Sequence, residues 1–395
     1  MNPSRSPLIA SLIVVLFTGG VSRADADSNS PPKDVAVSLL QLQAQLAEQA
    51  KRIDRLYSAL GPQLAEMEER AAALKEMLEA DSALAMKTVA HVTDENFTSK
   101  LMFLPGSRLL ALAGRDHTIR LLTLPEGTVF ATLSDAEGSI ECLAVAADGK
   151  TIFAGTDKGL VFAWLEKEKT NTPVMVASTG DWPVTALAVS PDGTRVAWGC
   201  NGKHDTERKW IEPEESLVVL EAASGRKLWS SKIGRGDYQA LSFSGDGKSL
   251  AVVQQGKVAV LDGATGRVLC ELAHEQYPAG PLSTAMSRDG NLCAVGYGPN
   301  SIGLWDARAG QCLRTIKAHS NWVVSLAFSP DNSLLASSAG DTTASIWEVA
   351  TGKEVGRFRF GDGAAYVYSV SISDDGRWLA AGRRGELVVL ELPKK

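Results

Sequence analysis

The stretch FSPDNSLLASSAGDTTASIWE, residues 328–348, has the pattern of short β-strands joined by tight turns. The turns fall at Asp331–Asn332 and Gly340–Asp341, residue types that favour chain reversal. The question is whether this is a single meander or one copy of a unit that the chain repeats. A unit of this size that recurs at a fixed period would determine the architecture.

The segment LAFSPDN (326–332) has six further counterparts along the chain. They are LMFLPGS from 101, LAVAADG from 143, LAVSPDG from 187, LSFSGDG from 241, TAMSRDG from 284 and VSISDDG from 370. The last turn position is spaced close to 43 residues apart, at Ser107, Gly149, Gly193, Gly247, Gly290, Asn332 and Gly376, with one longer interval after Gly193. Each copy continues with two more strands and a second turn of the form acid-x-x-small-Gly, as in Asp262 to Gly266. Seven four-stranded antiparallel units predict an all-β, seven-bladed β-propeller over residues 86–395.

The seventh repeat ends at LVVLELPKK, one strand short of a complete blade. The segment MKTVAHV (86–92) precedes the first repeat and is predicted to supply the missing outer strand. Covering a free sheet edge is the physical incentive for this closure.

The sixth repeat, AHSNWVVSLAFSPDNSLLASSAGDTTASIWE, resembles a WD40 repeat, and the resemblance covers about three quarters of the chain. It implies a structural hydrogen-bonded tetrad of His319, Ser337, Asp341 and Trp347. The fourth repeat departs from this pattern, with Gly256 in the tight turn and Leu261 in the Trp position. Similar turns occur in quinoprotein propellers and in the periplasmic Tol-system propeller, so the resemblance specifies the fold better than the subfamily.

The N-terminus has Arg5, an apolar run from Leu8 to Phe17, and small residues ending at Ala24. This layout predicts a signal peptide over 1–24, and therefore a periplasmic or secreted protein without a stable membrane span after cleavage. The alternative is an uncleaved N-terminal anchor. A polar, proline-containing linker follows over 25–34.

Residues 35–85 are predicted to be helical. Leucine and isoleucine recur at heptad positions, at Leu39, Leu42, Leu46, Ile53, Leu56 and Leu60. Gly61 and Pro62 are predicted to interrupt the helix. Two interpretations fit: a coiled coil that forms a homodimer through residues 35–60, or a helical hairpin folded on itself or against the main domain.

The composition argues against a nucleic-acid partner. The formal net charge is -6 and the sequence pI is about 5.6, whereas nucleic acids favour strongly positive surfaces. The five cysteines are odd in number and widely spaced, so we expect small buried hydrophobes rather than a disulfide framework, with Cys293 and Cys312 as one pair able to close.

The sequence contains no recognisable catalytic motif. The GKT and GKS segments beginning at Gly149 and Gly247 lack the upstream glycine of a phosphate-binding loop, and the five histidines lack metal-ligand spacing. No catalytic residue, metal site or cofactor is therefore predicted.

A binding face is predicted more positively. Counting seven residues back from the Ser of SPDN places Phe97, Trp322 and Tyr366 at equivalent positions in three blades that are consecutive in a closed ring. Neighbouring loops add cations, at Arg115, His117, Arg383 and Arg384. Aromatic and arginine side chains are enriched at the centres of protein interfaces. The competing interpretation is that these rings pack between blades and that the cations are ordinary solvated turn residues.

The longer interval after Gly193 comes from NGKHDTERKWIEPEES (201–216), inserted between the second and third strands of blade 3. Long loops in compact domains are often functional. Trp210 in this insertion is therefore a candidate for partner contact, or else it packs against Trp182.

These observations predict an exported, non-enzymatic scaffold that binds a protein or peptide on the loop face of the propeller. The alternative is a periplasmic propeller enzyme or cofactor-binding protein of the quinoprotein or lactonase type. Polar or metal-binding side chains in the central channel would favour that alternative.

Overall fold

The structure is a computed structural model. It describes residues 86–393, except 115, 166–172, 205–208, 212, 232–237, 255, 274–279, 299 and 362–365, together with part of 44–71. The predicted signal peptide (1–24) and linker (25–34) lie outside the described residues. The chain divides into two units, Met1–Met77 and Leu78–Lys395.

The described residues between 44 and 71 are helical. This stretch includes residues 58–63, so the backbone stays helical through Gly61 and Pro62, where the sequence predicts an interruption. Whether these residues form a coiled coil or a hairpin remains a prediction.

The second unit is built of seven four-stranded antiparallel sheets in the described residues, the blades of a propeller. The strands of blades 1 to 3 are β2 Phe97–Phe103, β3 Leu109–Gly114, β4 Ile119–Thr123 and β5 Val129–Leu133; β6 Ile140–Val145, β7 Thr151–Thr156, β8 Leu160–Leu165 and β9 Val174–Ser178; and β10 Val184–Val189, β11 Arg195–Cys200, β14 Leu217–Glu221 and β15 Lys227–Ser231. Blades 4 and 5 contain β16 Tyr238–Phe243, β17 Ser249–Gln254, β18 Lys257–Asp262 and β19 Val268–Glu271; and β20 Pro281–Met286, β21 Leu292–Tyr297, β22 Ser301–Asp306 and β23 Gln311–Lys317. Blades 6 and 7 contain β24 Val323–Phe328, β25 Leu334–Ala339, β26 Thr343–Glu348 and β27 Glu354–Arg359; and β28 Ser369–Ile372, β29 Trp378–Arg383, β30 Glu386–Glu391 and β1 Thr88–Thr93.

The ring closes as the sequence predicts. Strand β1 is the outermost strand of blade 7 and pairs antiparallel with β30, so the two ends of the propeller share one sheet. Side-chain contacts also join the closing strand to β30: Lys87 Nζ lies 3.3 Å from Glu391 in an ion pair, and His91 Nε2 lies 2.8 Å from Glu386 in a hydrogen bond. The predicted seven-bladed architecture is confirmed.

The repeated turn between the first and second strands has a shared chemistry in five blades. A buried serine hydroxyl donates to the aspartate two residues later at 2.5 to 2.7 Å and accepts the amide that begins the next strand. The serines are Ser190, Ser244, Ser287, Ser329 and Ser373. Blade 1 differs from the other blades: its positive φ of 68° falls on Gly106 rather than on Ser107, because a Pro-Gly pair forms the centre of that turn.

The cores lie between blades. Among the described residues, seven clusters of buried apolar side chains each combine residues of two neighbouring blades, so each blade is stabilised by both neighbours. Hydrogen bonds also cross between innermost strands; the amide of Val370, for example, donates to Ser325 Oγ at 3.2 Å.

All five cysteines are free thiols, and Cys142, Cys200 and Cys293 are buried as expected. The proposed Cys293–Cys312 pair is wrong. Both residues pair with Trp305, from opposite sides of β22, which separates their Cα atoms by two strand spacings, roughly 9–10 Å. A disulfide needs a Cα separation of about 4.4–6.8 Å.

Candidate functional site

Trp322 is an exposed aromatic residue among the predicted contact residues. It precedes β24 in the loop that joins the outer strand of blade 5 to the inner strand of blade 6, and it is 51% exposed. Its backbone is fixed on both sides: the amide donates to Asn321 Oδ1 at 2.8 Å, and the carbonyl accepts from the amide of Gly340 at 3.0 Å. An exposed indole is therefore held on a rigid support.

Tyr366 continues this surface onto blade 7. Its ring lies over Gly340, where a Cβ atom would sit only 2.4 Å from the ring, so a glycine is required at that position. Tyr366 also stacks on Tyr368, with ring centroids 5.7 Å apart. Sequence analysis missed Tyr368, although the alternation Tyr-Val-Tyr places two rings on one side of an extended chain.

The predicted cationic residues differ in how many contacts their side chains make with the rest of the propeller. Arg383 is half-buried: it bonds to Glu386, donates to the carbonyl of Gly361 at 3.1 Å and lies 5.3 Å from the ring of Phe360. Arg384, in the next turn position, is exposed. His117 is also exposed, at a φ of 64°. Arg115 lies outside the described residues.

Phe97 does not share this exposure, since its side chain is only 3% exposed. Leu101 follows Phe97 by four positions across the bulge of β2, whereas Leu326 follows Val323 by three across the bulge of β24. The extra residue moves Phe97 to the register position of buried Val323 instead of that of Trp322. Phe97 therefore packs in the core between blades 7 and 1, as the competing interpretation holds.

The four residues of the implied tetrad are brought together in blade 6. Trp347 Nε1 donates to Ser337 Oγ at 2.7 Å, Ser337 Oγ lies 2.7 Å from His319 Nε2, and His319 Nδ1 lies 3.1 Å from Asp341 Oδ2. A proton on Nδ1 suits both ring nitrogens, because Nδ1, which also lies 2.9 Å from Thr343 Oγ1, then donates to the carboxylate while Nε2 accepts from the serine. The network links strands β25 and β26, the turn between them and the loop that precedes β24 of the same blade.

Asp341 is charged within this network. Burial alone would raise the pKa of its carboxyl, but hydrogen bonds from His319, Thr343 and the amide of Ser320 hold the pKa well below its usual range. The hydroxyl of Thr343 donates to Asp341 Oδ1 at 2.6 Å and the Ser320 amide donates to Oδ2 at 2.8 Å. The arrangement stabilises a loop rather than poising an acid for catalysis.

The insertion of blade 3 forms a short hairpin, β12 Lys203–His204 with β13 Trp210–Ile211. The side chain of Trp210 lies outside the described residues, so its predicted contact with a partner or with Trp182 is untested. The ring of Trp182 is half-buried, and Lys203 Nζ lies 5.0 Å from its centroid.

Within the part of the chain that the structure describes, no group of three or more His, Cys, Asp or Glu side chains is arranged to hold a metal ion. The same residues contain no helix both long and apolar enough to cross a bilayer.

Comparisons with known proteins agree with this architecture. The family model for the WD domain, G-beta repeat, matches residues 310–348 and 352–388. The p21-activated protein kinase-interacting protein 1-like of Danio rerio is 26% identical over 264 residues, which cover 66% of this chain and 64% of that protein. The Autophagy-related protein 16 of Arabidopsis thaliana is 25% identical over 291 residues, or 69% of this chain and 51% of that protein.

A shorter match, 29% identical over 125 residues, covers 31% of this chain and 32% of WD repeat-containing protein 55 of Bos taurus. The chain spans less than two thirds of the length of each of these relatives. The two matched stretches, 310–348 and 352–388, are WD40 repeats.

Proposed function

We propose that this WD40-repeat propeller is a non-enzymatic scaffold that binds a protein or peptide partner on the loop face of blades 6 and 7. The contact surface comprises Trp322, Tyr366 and Arg384, with His117 of blade 1 at its edge. Phe97 is left out of the surface because it is buried.

The observation that carries the proposal is the half-exposed indole of Trp322 on a fixed backbone. Burying a large aromatic ring from water is a strong source of binding free energy, and a rigid support removes the entropy cost of ordering it. Arg384 is exposed on the adjacent blade and supplies the second residue type enriched at interface centres.

The names of two relatives support a role in interaction. One is described as a protein kinase-interacting protein, and another as an autophagy-related protein. Their low identity and partial coverage leave the partner of this chain to be found by experiment.

Export and self-association complete the proposal. The N-terminal 24 residues direct the protein to the periplasm or outside the cell, and residues 35–60 join two copies through their heptad pattern. Mass spectrometry of the mature N-terminus tests the first point, because cleavage predicts a chain that starts near residue 25. Sedimentation of the mature protein tests the second.

The binding proposal is tested by affinity capture from the exported fraction with the mature protein and two variants. The first variant combines Trp322→Ala with Arg384→Ala. The second is Phe130→Ala, which removes a still more exposed aromatic ring, 66% exposed, from the outer strand of blade 1. Thermal melting confirms that both variants are folded.

A partner retained by the wild type and by Phe130→Ala, but lost by the double variant, supports the proposed surface. Equal retention by all three proteins contradicts it. Loss of the partner with both variants indicates nonspecific hydrophobic binding by exposed aromatic rings.

A further inference from the structure

A stripe of exposed apolar side chains runs along the N-terminal helix. Residues 58–63 are helical, and further helical residues lie on both sides of them between 44 and 71. Ile53, Leu56, Leu60 and Met67 are 45%, 55%, 48% and 66% exposed. A row of large apolar side chains in water is unfavourable, so the stripe requires a partner that covers it.

The stripe keeps one heptad register on both sides of residues 61–62. Ile53, Leu60 and Met67 follow one another at intervals of seven residues, which makes them successive a positions, and Leu56 is a d position between the first two. A helical hairpin that turned at residues 61–62 would end this register there. The described backbone is helical through that point instead, so the apolar stripe crosses it.

Gly61 and Pro62 lie on the side of the helix away from the stripe. In this register they are at positions b and c, which face solvent in a coiled coil. Water replaces the hydrogen bond that the proline cannot donate on that side. Glycine and proline are the residues that disfavour a helix interior most, so packing along the opposite face must stabilise the helix through this point.

Two glutamines interrupt the apolar stripe and indicate what covers it. Gln49 and Gln63 are exposed and stand at d positions fourteen residues apart, exactly two heptads. In a parallel pair of identical helices in register, each glutamine faces its own counterpart, and an amide can both donate to and accept from another amide. An antiparallel pair sets d positions against a positions, and an unrelated apolar surface offers no amide, so either arrangement buries both glutamines without partners.

The apolar stripe weakens after Met67. Arg70 occupies the next d position, and its Nη2 lies 2.8 Å from Oε1 of Glu66 on the preceding turn. A charged side chain at a d position opposes close packing of two helices. Met67 is therefore the last apolar position of the stripe among the described residues.

We propose that two copies of this chain pair in parallel and in register along residues 39–67, with Gln49 and Gln63 as matched polar layers. The proposal rests on the self-association proposed above for residues 35–60; it adds the orientation of the two helices and the continuation past Gly61 and Pro62. Two propellers are thereby joined at the same end of one helical stalk.

The test uses cysteine crosslinking in the mature full-length protein. Leu56→Cys and Met67→Cys place a thiol in the stripe on either side of residues 61–62, and Glu69→Cys is the control at an outward c position two residues further along. The parent protein gives the background from the native thiols. After mild oxidation, both stripe variants should form at least tenfold more covalent dimer than Glu69→Cys. Because only one residue of an antiparallel pair can face its own counterpart, both crosslinks together require the parallel arrangement.

A second pair of variants measures the strength of the contact. Met67→Lys places a charge in the stripe and should weaken self-association roughly tenfold or more, followed by sedimentation across a range of concentrations. Glu69→Lys introduces the same side chain on the outer face and should change self-association less than twofold. Thermal melting of the propeller confirms that both variants are folded.

The possible failures are distinct. A crosslink from Leu56→Cys without one from Met67→Cys, or equal self-association of the two lysine variants, leaves the dimer through residues 35–60 standing and overturns its continuation. A sedimenting dimer with neither stripe crosslink overturns the parallel orientation. A protein that sediments as a monomer overturns both this inference and the self-association on which it rests.

Discussion

In blade 6 the indole of Trp347 donates to Ser337, and a histidine and a buried carboxylate complete the network. In blade 3 Trp198 stands at the register position of Ser337, Leu220 stands at that of Trp347, and a cavity lies beside them. The two blades have the same strand order and the same serine-aspartate turn. The repeat therefore fixes the backbone, while the side chains inside each blade decide whether a polar network forms there.

The largest effect is expected from removing the carboxylate of blade 6. Asp341→Ala takes away the acceptor for His319 and for the amides of Ser320 and Thr343, so we expect a loss of about 3–5 kcal/mol in the free energy of unfolding. Denaturant unfolding measures it. Asp157→Ala is the matched control: Asp157 lies in the corresponding turn of blade 2, where it is exposed and accepts the amide of Ser139, so its loss should cost about 1 kcal/mol or less. Equal losses for the two variants would contradict the importance of the tetrad.

A smaller effect is expected from pH. The pKa of Asp341 is lower in the folded protein than its usual value, so its stabilisation is complete above the unfolded pKa of about 4 and is lost as pH falls through the folded pKa. The difference in unfolding free energy between the wild type and Asp341→Asn should be constant from pH 7 to about pH 5 and should shrink below about pH 4. Urea unfolding across this range measures it, and a difference that grows as pH falls would mean that the carboxyl is not held in its charged form.

The smallest effect comes from deleting one indole N–H in each blade. Trp347→Phe leaves Ser337 without its donor and should cost about 1–2 kcal/mol. Trp198→Phe removes a donor that has no acceptor at hydrogen-bond geometry among the described residues, so we expect a change within about 0.5 kcal/mol. Thermal and denaturant unfolding of both variants compare them directly; similar costs would show that Trp198 has an acceptor in solution.

Much of the fold can be predicted from the sequence because each blade is specified by residues that are close together in the chain. The turn residues and the apolar alternation specify each blade. The seventh repeat is one strand short and one strand precedes the first repeat, so the sequence also predicts the closure by β1. The tetrad follows from the resemblance of the sixth repeat, and its hydrogen bonds are present.

The errors arise where a single residue changes the register or the space available. One extra residue in the bulge of β2 places Phe97 in the core, and no local pattern in FTSKLMF marks that bulge. The changed interior of blade 3 could have been found by aligning RVAWGC with LLASSA, since the tryptophan then falls on the serine of the tetrad. The alignment of these two strands does not predict the cavity beside them, because the volume of the cavity depends on how neighbouring blades pack.

The measurement that tests the proposed function most directly is photo-crosslinking from a photoreactive side chain placed at residue 322, with the same side chain at residue 130 as the control. Both positions are exposed, on the loop face and on the outer strand of blade 1 respectively. The account predicts one discrete adduct with a partner from position 322 and none from position 130. A discrete adduct from position 130 alone, or the same adducts from both, would contradict a binding surface centred on Trp322.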